Sequence, residues 1–392
     1  MPYSHYTEEL TGLKDARITF VENQGNILHI HLKMEQRIHA CPNCGEWTSK
    51  VHDYRTQIVK DISSFGRFTV LHLQKRRHVC PLCGKKFYEQ VDFLPKYHRI
   101  TNRMFLYMLQ QFREFWSMKS VARSNNVSSP TAARVLDYLN YTPLRLPKVL
   151  SIDEFRGNSG GEKFQCILTD LAQKKIFDIL PSRSSEHLYA YFSKFANRKE
   201  VEFLVMDMYS PYKQLAKALF PNAKIIADRY HYMRLVDWAF ERVRKEEQKK
   251  FHEDRRKYFK HSRKLLLKNT ARLTWEESFQ VEKMLSVSEK LKHAYIIKSN
   301  FELFMKCKDS ISAKKQLSYW LMYAMNYEVP EFEDVAKTFT RWSTEILNSF
   351  DYPYTNGYTE GCNNKIKVLK RVAYGMPNFE RFRRRIMHAL AH

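Results

Sequence analysis

Three acids in this chain stand where backbone geometry favours chemistry. Asp207 ends an apolar run of Phe203, Leu204, Val205 and Met206, and the turn pair Ser210–Pro211 and an amphipathic segment follow it. The run is too short for a helix of its own and reads as a buried strand. Asp153 ends a second such run, KVLSID at 148–153, and Glu360 lies near the start of a helical stretch in YTNGYTEGCNNKIK at 354–367. Strand ends at the loop face are where α/β sheets place their ligands. Two strand-end aspartates and a helical glutamate form a donor set for Mg²⁺ (or Mn²⁺) in phosphoryl transfer, in which two ions sit about 4 Å apart. One ion activates the attacking water or 3′-hydroxyl, and the other stabilises the leaving oxygen. Asp153 is expected to bridge both ions, with Asp207 and Glu360 each completing one. Most acids are merely solvated, so the expectation rests on the trio and not on any one member.

A second constellation is built of thiols. Cys41-Pro-Asn-Cys44-Gly is echoed by Cys80-Pro-Leu-Cys83-Gly. In each knuckle the turn aims two thiolates at one ion, and the glycine relieves strain after the second Cys. Four thiolates make the tetrahedral shell of one structural Zn²⁺. The 35 residues between the knuckles exceed the usual 15–20 of a ribbon; further strands in VHDYRTQIVKDISSFGRFTVLHLQKRRHVC fill the gap. Buried thiols or a redox pair are the alternatives, but no thioredoxin-like βαβ pattern flanks either knuckle. His52, His72 and His78 could be ligands; since four Cys suffice, they are assigned to the surface or to nucleic-acid contacts.

The elements that position these groups follow in chain order. ARITFVENQGNILHIHLKM at 16–34 alternates around Gln24-Gly25-Asn26 and reads as a β-hairpin. Helical spacing begins after Pro95, and SMKSVARSNNVSSPTAARVLDYLN at 117–140 has a helix-turn-helix layout. There Val127 plugs the turn, and Ser129 is expected to cap the second helix with Pro130 behind it. Ser128, Thr131 and Arg134 then face a DNA major groove; an αα-hairpin without DNA contact is the plainer reading. TPLRLP at 142–147 is a linker. Beyond it, strands and helices run β-β-β-α-β-α-β up to Asp228, matching a ribonuclease-H-like layout. Asp170 and Asp178 read as solvated strand or turn residues. The charge run at 242–268 reads as a solvated helix face, its positive excess also permitting a track for DNA backbone, and TWEE at 274–277 reads as a capping box. The all-helical stretch before Glu360 reads as an insertion into the sheet domain, with Trp275, Trp320 and Trp342 in its core. On the helix expected from about Thr359, Glu360, Asn363, Asn364 and Lys367 fall on one side, and Lys365, Lys367, Lys370 and Arg371 make it basic enough to hold DNA phosphates.

A formal charge of +24, from 66 Lys and Arg against 42 Asp and Glu, attracts polyanions, nucleic acid first among them. No apolar run approaches the roughly 18–20 residues that span a bilayer. The first ten residues, MPYSHYTEEL, lack the apolar core of an export signal. A reducing cytoplasm, with association to a bacterial nucleoid, is the expected location, and there seven Cys argue for metal binding over disulfides.

Together these motifs resemble the DDE transposases of bacterial insertion sequences, specifically the ISL-three family. The resemblance spans nearly the whole chain: both CPxCG knuckles with VHDYR between them, the helix-turn-helix, SIDEF, VMDMYSPY, IIADRYHY, NGYTEGCNNKIKVLKRVAYG and NFERFRRRI. It implies a catalytic triad of Asp153, Asp207 and Glu360, with Asp228 and His231 near the site. The fold it implies is multidomain α+β: a β-rich zinc-binding domain at 1–98, a helix-turn-helix at 99–146, and a ribonuclease-H-like α/β catalytic domain. That last domain spans 147–240 and 351–392, and a helical insertion at 241–350 interrupts it. The implied activity is metal-dependent cleavage and strand transfer at terminal inverted repeats in double-stranded DNA, by a dimer or larger assembly on the DNA. Two other classes fit the same residues: a zinc and helix-turn-helix regulator with an inert sheet domain, and a structure-specific nuclease.

Overall fold

A computed structural model describes residues 11–157, 159–260 and 262–391. The first ten residues, read above as carrying no export signal, lie outside that set. The chain divides into two units, one of residues up to 141 together with 368–390, the other of residues 142–367.

In the first unit, strands β1 (Ala16–Gln24) and β2 (Ile27–Met34) form the expected hairpin, with Gln24 opposite Ile27. Two short strands, β3 (His39–Ala40) and β4 (Trp47–Thr48), pair around the first knuckle. The long strands β5 (Val51–Ser64) and β6 (Arg67–Val79) pair antiparallel, and β7 (Lys86–Tyr88) adds to β6. The turn between β5 and β6 places Phe65 at φ 53° and Gly66 at φ 75°, the two left-handed residues that a tight hairpin turn requires. β2 runs parallel to β6, giving the order β1-β2-β6-β5. Burial on β2 alternates strictly, so Leu28, Ile30, Leu32 and Met34 face one core with Val59, Leu71 and Leu73.

Helices α1 (Asn102–Arg113), α2 (Met118–Ser124) and α3 (Ser129–Asp137) share a second core built on Met104, Met108, Phe112, Val121 and Leu136. Val127 plugs the α2–α3 turn from its edge. The cap of α3 lies one residue earlier than expected: the Ser128 side chain, not that of Ser129, accepts the Thr131 N–H. Pro130 then takes the second helical position, still within the first turn, where its missing N–H costs nothing.

The second unit is built on a five-stranded sheet. β8 (Val149–Arg156), β9 (Phe164–Asp170) and β10 (Lys175–Leu180) are antiparallel neighbours. After α4 (Ser185–Phe192), β11 (Phe203–Met206) joins β8 in parallel; α5 (Ser210–Leu219) leads to β12 (Lys224–Ala227), parallel to β11. The order is β10-β9-β8-β11-β12. α4 and α5 cover one face through Leu188, Phe192, Tyr212 and Leu215.

Between β12 and residue 357 the described residues form helices and no strand: α6 (Arg229–Lys250), α7 (Glu253–Lys260), α8 (Arg263–Leu267), α9 (Trp275–Leu285), α10 (Glu289–Met305), α11 (Ser310–Asn326), α12 (Pro330–Arg341) and α13 (Ser343–Asp351). They have their own core, with Tyr232, Phe240, Trp320, Phe339 and Trp342 buried in it. α13 lies along β12, where the Asn348 side chain donates to the Ile225 carbonyl at 2.8 Å and so occupies the sheet edge. Two helices remain, α14 (Gly357–Val372) and α15 (Phe379–Leu390). α15 packs within the first unit: Arg381 forks onto Asp137 of α3 at 2.8 and 2.6 Å, and His388 meets Tyr141.

Three readings need correction here. Trp275 is 80% exposed and stacks on Phe279 one turn later, because it opens α9 on the outward face. Asp178 is buried and accepts a 2.6 Å hydrogen bond from the Tyr191 hydroxyl of α4. The charge run is not simply solvated: Arg244 and Glu247 are buried, and Arg244 forks onto Glu241, the buried residue just before the run, at 2.6 and 3.1 Å.

Candidate active site and zinc centre

Register places the acids. Met206 of β11 pairs with Ile152 on one side and with Ala227 on the other. One residue further along, Asp153, Asp207 and Asp228 therefore share one edge of three adjacent parallel strands. Asp228 precedes α6 as its N-cap residue, yet its side chain does not cap that helix. It is directed instead toward Asn356, whose backbone N–H donates to Asp228 Oδ1 at 3.0 Å.

A buried hydroxyl ladder seats the glutamate. Ser151 of β8 donates to the Asn356 side-chain carbonyl at 2.6 Å. Thr359 lies 3.0 Å from Ser151 Oγ and 2.8 Å from Thr169 Oγ1. Asn363, one turn on, donates to Asp153 Oδ2 at 2.8 Å. Glu360 follows Thr359 directly, so these bonds to β8 and β9 fix the start of α14 and, with it, the glutamate. A donor atom each from Asp228, His231 and Glu360 lies within 4.8 Å of the other two. His231 Nδ1 also bonds Asp207 Oδ2 at 2.9 Å, which ties Asp207 into the same pocket.

Negative charge is over-supplied here. Burial, then the neighbouring Asp207 charge, pushes Asp153 up to about 7. Burial likewise raises Asp228 and Glu360, each with the other acids adding to the effect. Burial works against a charged His231, but its hydrogen bond to Asp207 and the surrounding carboxylates outweigh this and raise its pKa. Asp207 Oδ1 and Asp228 Oδ2 are buried with no hydrogen-bond partner. Orphaned carboxylate oxygens converging on one pocket are a donor set for a hard divalent cation. The metal-free protein bears the cost of that repulsion. Asp153→Asn should therefore raise its melting temperature by roughly 2–6 °C, at about 2–4 °C per kcal/mol. The Asn363 amide can rotate to offer its own buried, unpartnered Oδ1 to the new NH₂ group. A thermal scan in chelator checks this, and a fall in melting temperature would contradict it.

Most of the other sequence candidates are more exposed than the acids. Asn364 and Lys367 hydrogen-bond each other at 3.2 Å on the exposed side of α14, and Lys365 and Arg371 are exposed too. Lys370 is half-buried. On α3, Ser128, Thr131 and Arg134 form an outward row, with contacts of 2.9 and 3.1 Å between successive members. Ser151, Thr169, Asn356 and Thr359 escaped the sequence reading. Small hydroxyl residues carry no spacing signal until the pairing of strand and helix is known.

The four cysteines converge. Sγ of Cys41 lies 3.6 Å from that of Cys83, and Cys44 lies 3.5 Å from both Cys80 and Cys83. Zn–S bonds of about 2.3 Å in a tetrahedron put sulfurs about 3.8 Å apart, so the cage suits one zinc ion. Gly45 and Gly84 adopt φ of 77° and 69°, as each knuckle requires. The Lys85 backbone N–H draws the Cys83 thiol down from the ordinary thiol range, toward the thiolate that a metal binds.

Comparison with known proteins decides the family. A family model described as a transposase of family ISL3 matches residues 150–386, more than half of the chain. The chain belongs to transposase family ISL3. Two further models of that family match this transposase ahead of that region: a zinc finger of the IS204/IS1001/IS1096/IS1165 transposases at 37–83, and an ISL3 helix-turn-helix at 89–140. The transposase for insertion sequence element IS1001 of Bordetella parapertussis is 26% identical over 381 residues, covering 95% of this chain and 93% of its own length. The transposase for element IS1557 of Mycobacterium tuberculosis is 27% identical over 31% of this chain and 27% of its own length. A Lactococcus lactis protein named ATP-dependent protease is 35% identical over 31% of this chain and 36% of its own length. As a member of the family, this transposase is a DNA-cleaving and strand-transferring enzyme with a structural zinc site. Among the described residues no helix is long and apolar enough to cross a membrane.

Proposed function

We propose that this transposase binds the terminal inverted repeats of its insertion sequence, hydrolyses a phosphodiester at each end, and joins the freed 3′-hydroxyl to target DNA. The observation that carries the proposal is the convergence of Asp153, Asp207, Asp228, His231 and Glu360 at one sheet edge. The strand order β10-β9-β8-β11-β12, antiparallel then parallel, supports a ribonuclease-H-like catalytic domain. In that reading α6 to α13 form its insertion, and α15 belongs with the DNA-binding unit. Asp153, Asp207 and Glu360 are the assigned ligands of Mg²⁺ or Mn²⁺, with Asp228 beside them. Bound there, the metal lowers the pKa of the attacking oxygen and stabilises the leaving one. Asn363 holds Asp153 in orientation, and His231 holds Asp207 while offsetting part of the acid charge. Ser128, Thr131 and Arg134 read the repeat in the major groove, and Lys365, Lys370 and Arg371 hold phosphates. Joining two ends requires at least two protomers on the DNA.

The test is incubation with a duplex carrying an element end, in Mg²⁺, with analysis for end nicks and for joined strands. Both products are expected. Binding without nicking would favour a regulator, and nicking of branched DNA without joining a nuclease.

A further inference from the structure

The thiolate cage is not the only cluster of metal-binding side chains around the two knuckles. Each knuckle is preceded by a histidine at the same spacing, His39-Ala-Cys41 and His78-Val-Cys80. The knuckles repeat each other in backbone detail as well. The Cys41 N–H donates to the Glu46 carbonyl at 2.8 Å, and the Cys80 N–H to that of Lys85 at 2.9 Å. Gly45 and Gly84 close equivalent turns onto the Cys41 and Cys80 carbonyls, at 2.9 and 3.0 Å. Because the halves match, bringing the four sulfurs together also brings the two imidazoles together, with ring centroids 4.9 Å apart. Glu89, just past β7, completes the group: His39, His78 and Glu89 each place a donor atom within 4.8 Å of the other two.

His78 was expected at the surface, and the structure corrects this. The side chain is fully buried between β3 and β7, and neither ring nitrogen has a hydrogen-bond partner. A buried, unpaired imidazole costs about 1–3 kcal/mol, so an occupant that satisfies it is favoured. Glu89 is buried too, and its two oxygens accept from the Arg76 backbone N–H and guanidinium at 2.8 and 3.0 Å. An ionised carboxylate has about four lone-pair sites, so each oxygen retains one. Hydrogen bonds of this kind are also what orients a ligating carboxylate. Arg76 also anchors its guanidinium on the Met34 and Glu35 carbonyls, at 2.9 and 3.2 Å. It therefore fixes Glu89 from behind.

We propose that His39, His78 and Glu89 form a second metal site, distinct from the thiolate cage, that takes one borderline divalent ion such as Zn²⁺. Two imidazoles and a carboxylate suit Zn²⁺, Co²⁺ or Ni²⁺ and leave a coordination position for water.

Metal counting on the untagged full-length protein tests this. To remove the acidic pocket as a competitor, the count is made in the Glu360→Gln background after loading with Zn²⁺ and dialysis. Two zinc ions per chain are expected, falling to one when His39→Ala is added. His39 is half-exposed, so its truncation should leave the fold intact, and a circular dichroism spectrum checks that. Titration with Co²⁺ supplies the second measurement: one equivalent should show thiolate charge transfer, and a second should add only ligand-field bands of nitrogen and oxygen donors. A count of one zinc in the Glu360→Gln background overturns the proposal, whatever the variants do. So does a second ion that survives His39→Ala, or a second cobalt equivalent that also carries thiolate charge transfer.

Discussion

Glu360→Gln, Asp207→Asn and Asp153→Asn are each expected to slow strand cleavage at an element end by about 10³-fold or more, while end binding stays within about twofold. A thousandfold loss is about 4 kcal/mol of transition-state stabilisation, the scale on which a metal clamp on the reacting oxygens operates. The amide substitutions keep shape and remove charge, so they separate ligation from packing. For Asp153 the separation is sharper still. Its neutralisation is expected to stabilise the metal-free fold while abolishing turnover, and a protein that melts higher but cuts no DNA has lost chemistry, not structure. End binding should survive because the side chains assigned to reading the repeat lie on α3, in the other unit. Gel-shift and cleavage assays on the same preparations check both halves, and cleavage at the wild-type rate by any of the three would remove that acid from the site.

Much of this site is legible in the sequence because register carries it. An apolar run that ends in an acid predicts a strand-end carboxylate, which holds for Asp207; β8 runs on to Arg156, so Asp153 lies inside its strand, just past the last residue that pairs with β11. The third, Asp228, ends its own strand and came into view with the ADRYH block. How Glu360 arrives was not legible. It depends on Ser151 and Thr169, polar residues inside two strands, meeting Asn356 and Thr359 on a distant helix. A buried hydroxyl on a strand looks like any other serine or threonine until its partner is known. The same limit explains His78. Its neighbours on β3 and β7 bury it, and no periodicity in β6 marks that event. The error at Trp275 has the opposite cause: tryptophan suggests a core, but the first residue of a capped helix can face outward as half of an aromatic pair one turn apart. The helix-turn-helix erred by a single residue at its cap, where Ser128 and Ser129 offer the same side chain and only the backbone chooses.

Cys80→Ser is expected to abolish the thiolate-bound metal and to unfold the knuckle region while the sheet of the second unit stays intact. The reason lies in how little else holds the knuckles. β3 and β4 are two residues each, and the buried cluster of the first sheet draws on Leu13, on β1, β2, β5 and β6, and on Val91 and Leu94, with no residue from 36–50. Coordination takes the place of a core there, and structural zinc in small domains supplies apparent folding energies of about 10–16 kcal/mol. Removing one thiolate leaves three, and the open shell then admits water and exchange. Cys80 is buried, whereas Cys44 and Cys83 are exposed, so a serine at position 80 also leaves a hydroxyl without a metal partner inside the cage. Loss of thiolate-to-cobalt charge transfer, with protease cleavage appearing within 36–50 and 79–88, is the expected pair of observations. Binding to an element end should fall at least tenfold, since the knuckles belong to the DNA-binding half of the chain. The second unit has cores of its own, and its protection from hydrogen exchange should not change. A Cys80→Ser protein that kept its thiolate charge transfer would show that the four sulfurs meet for some other reason than a metal ion.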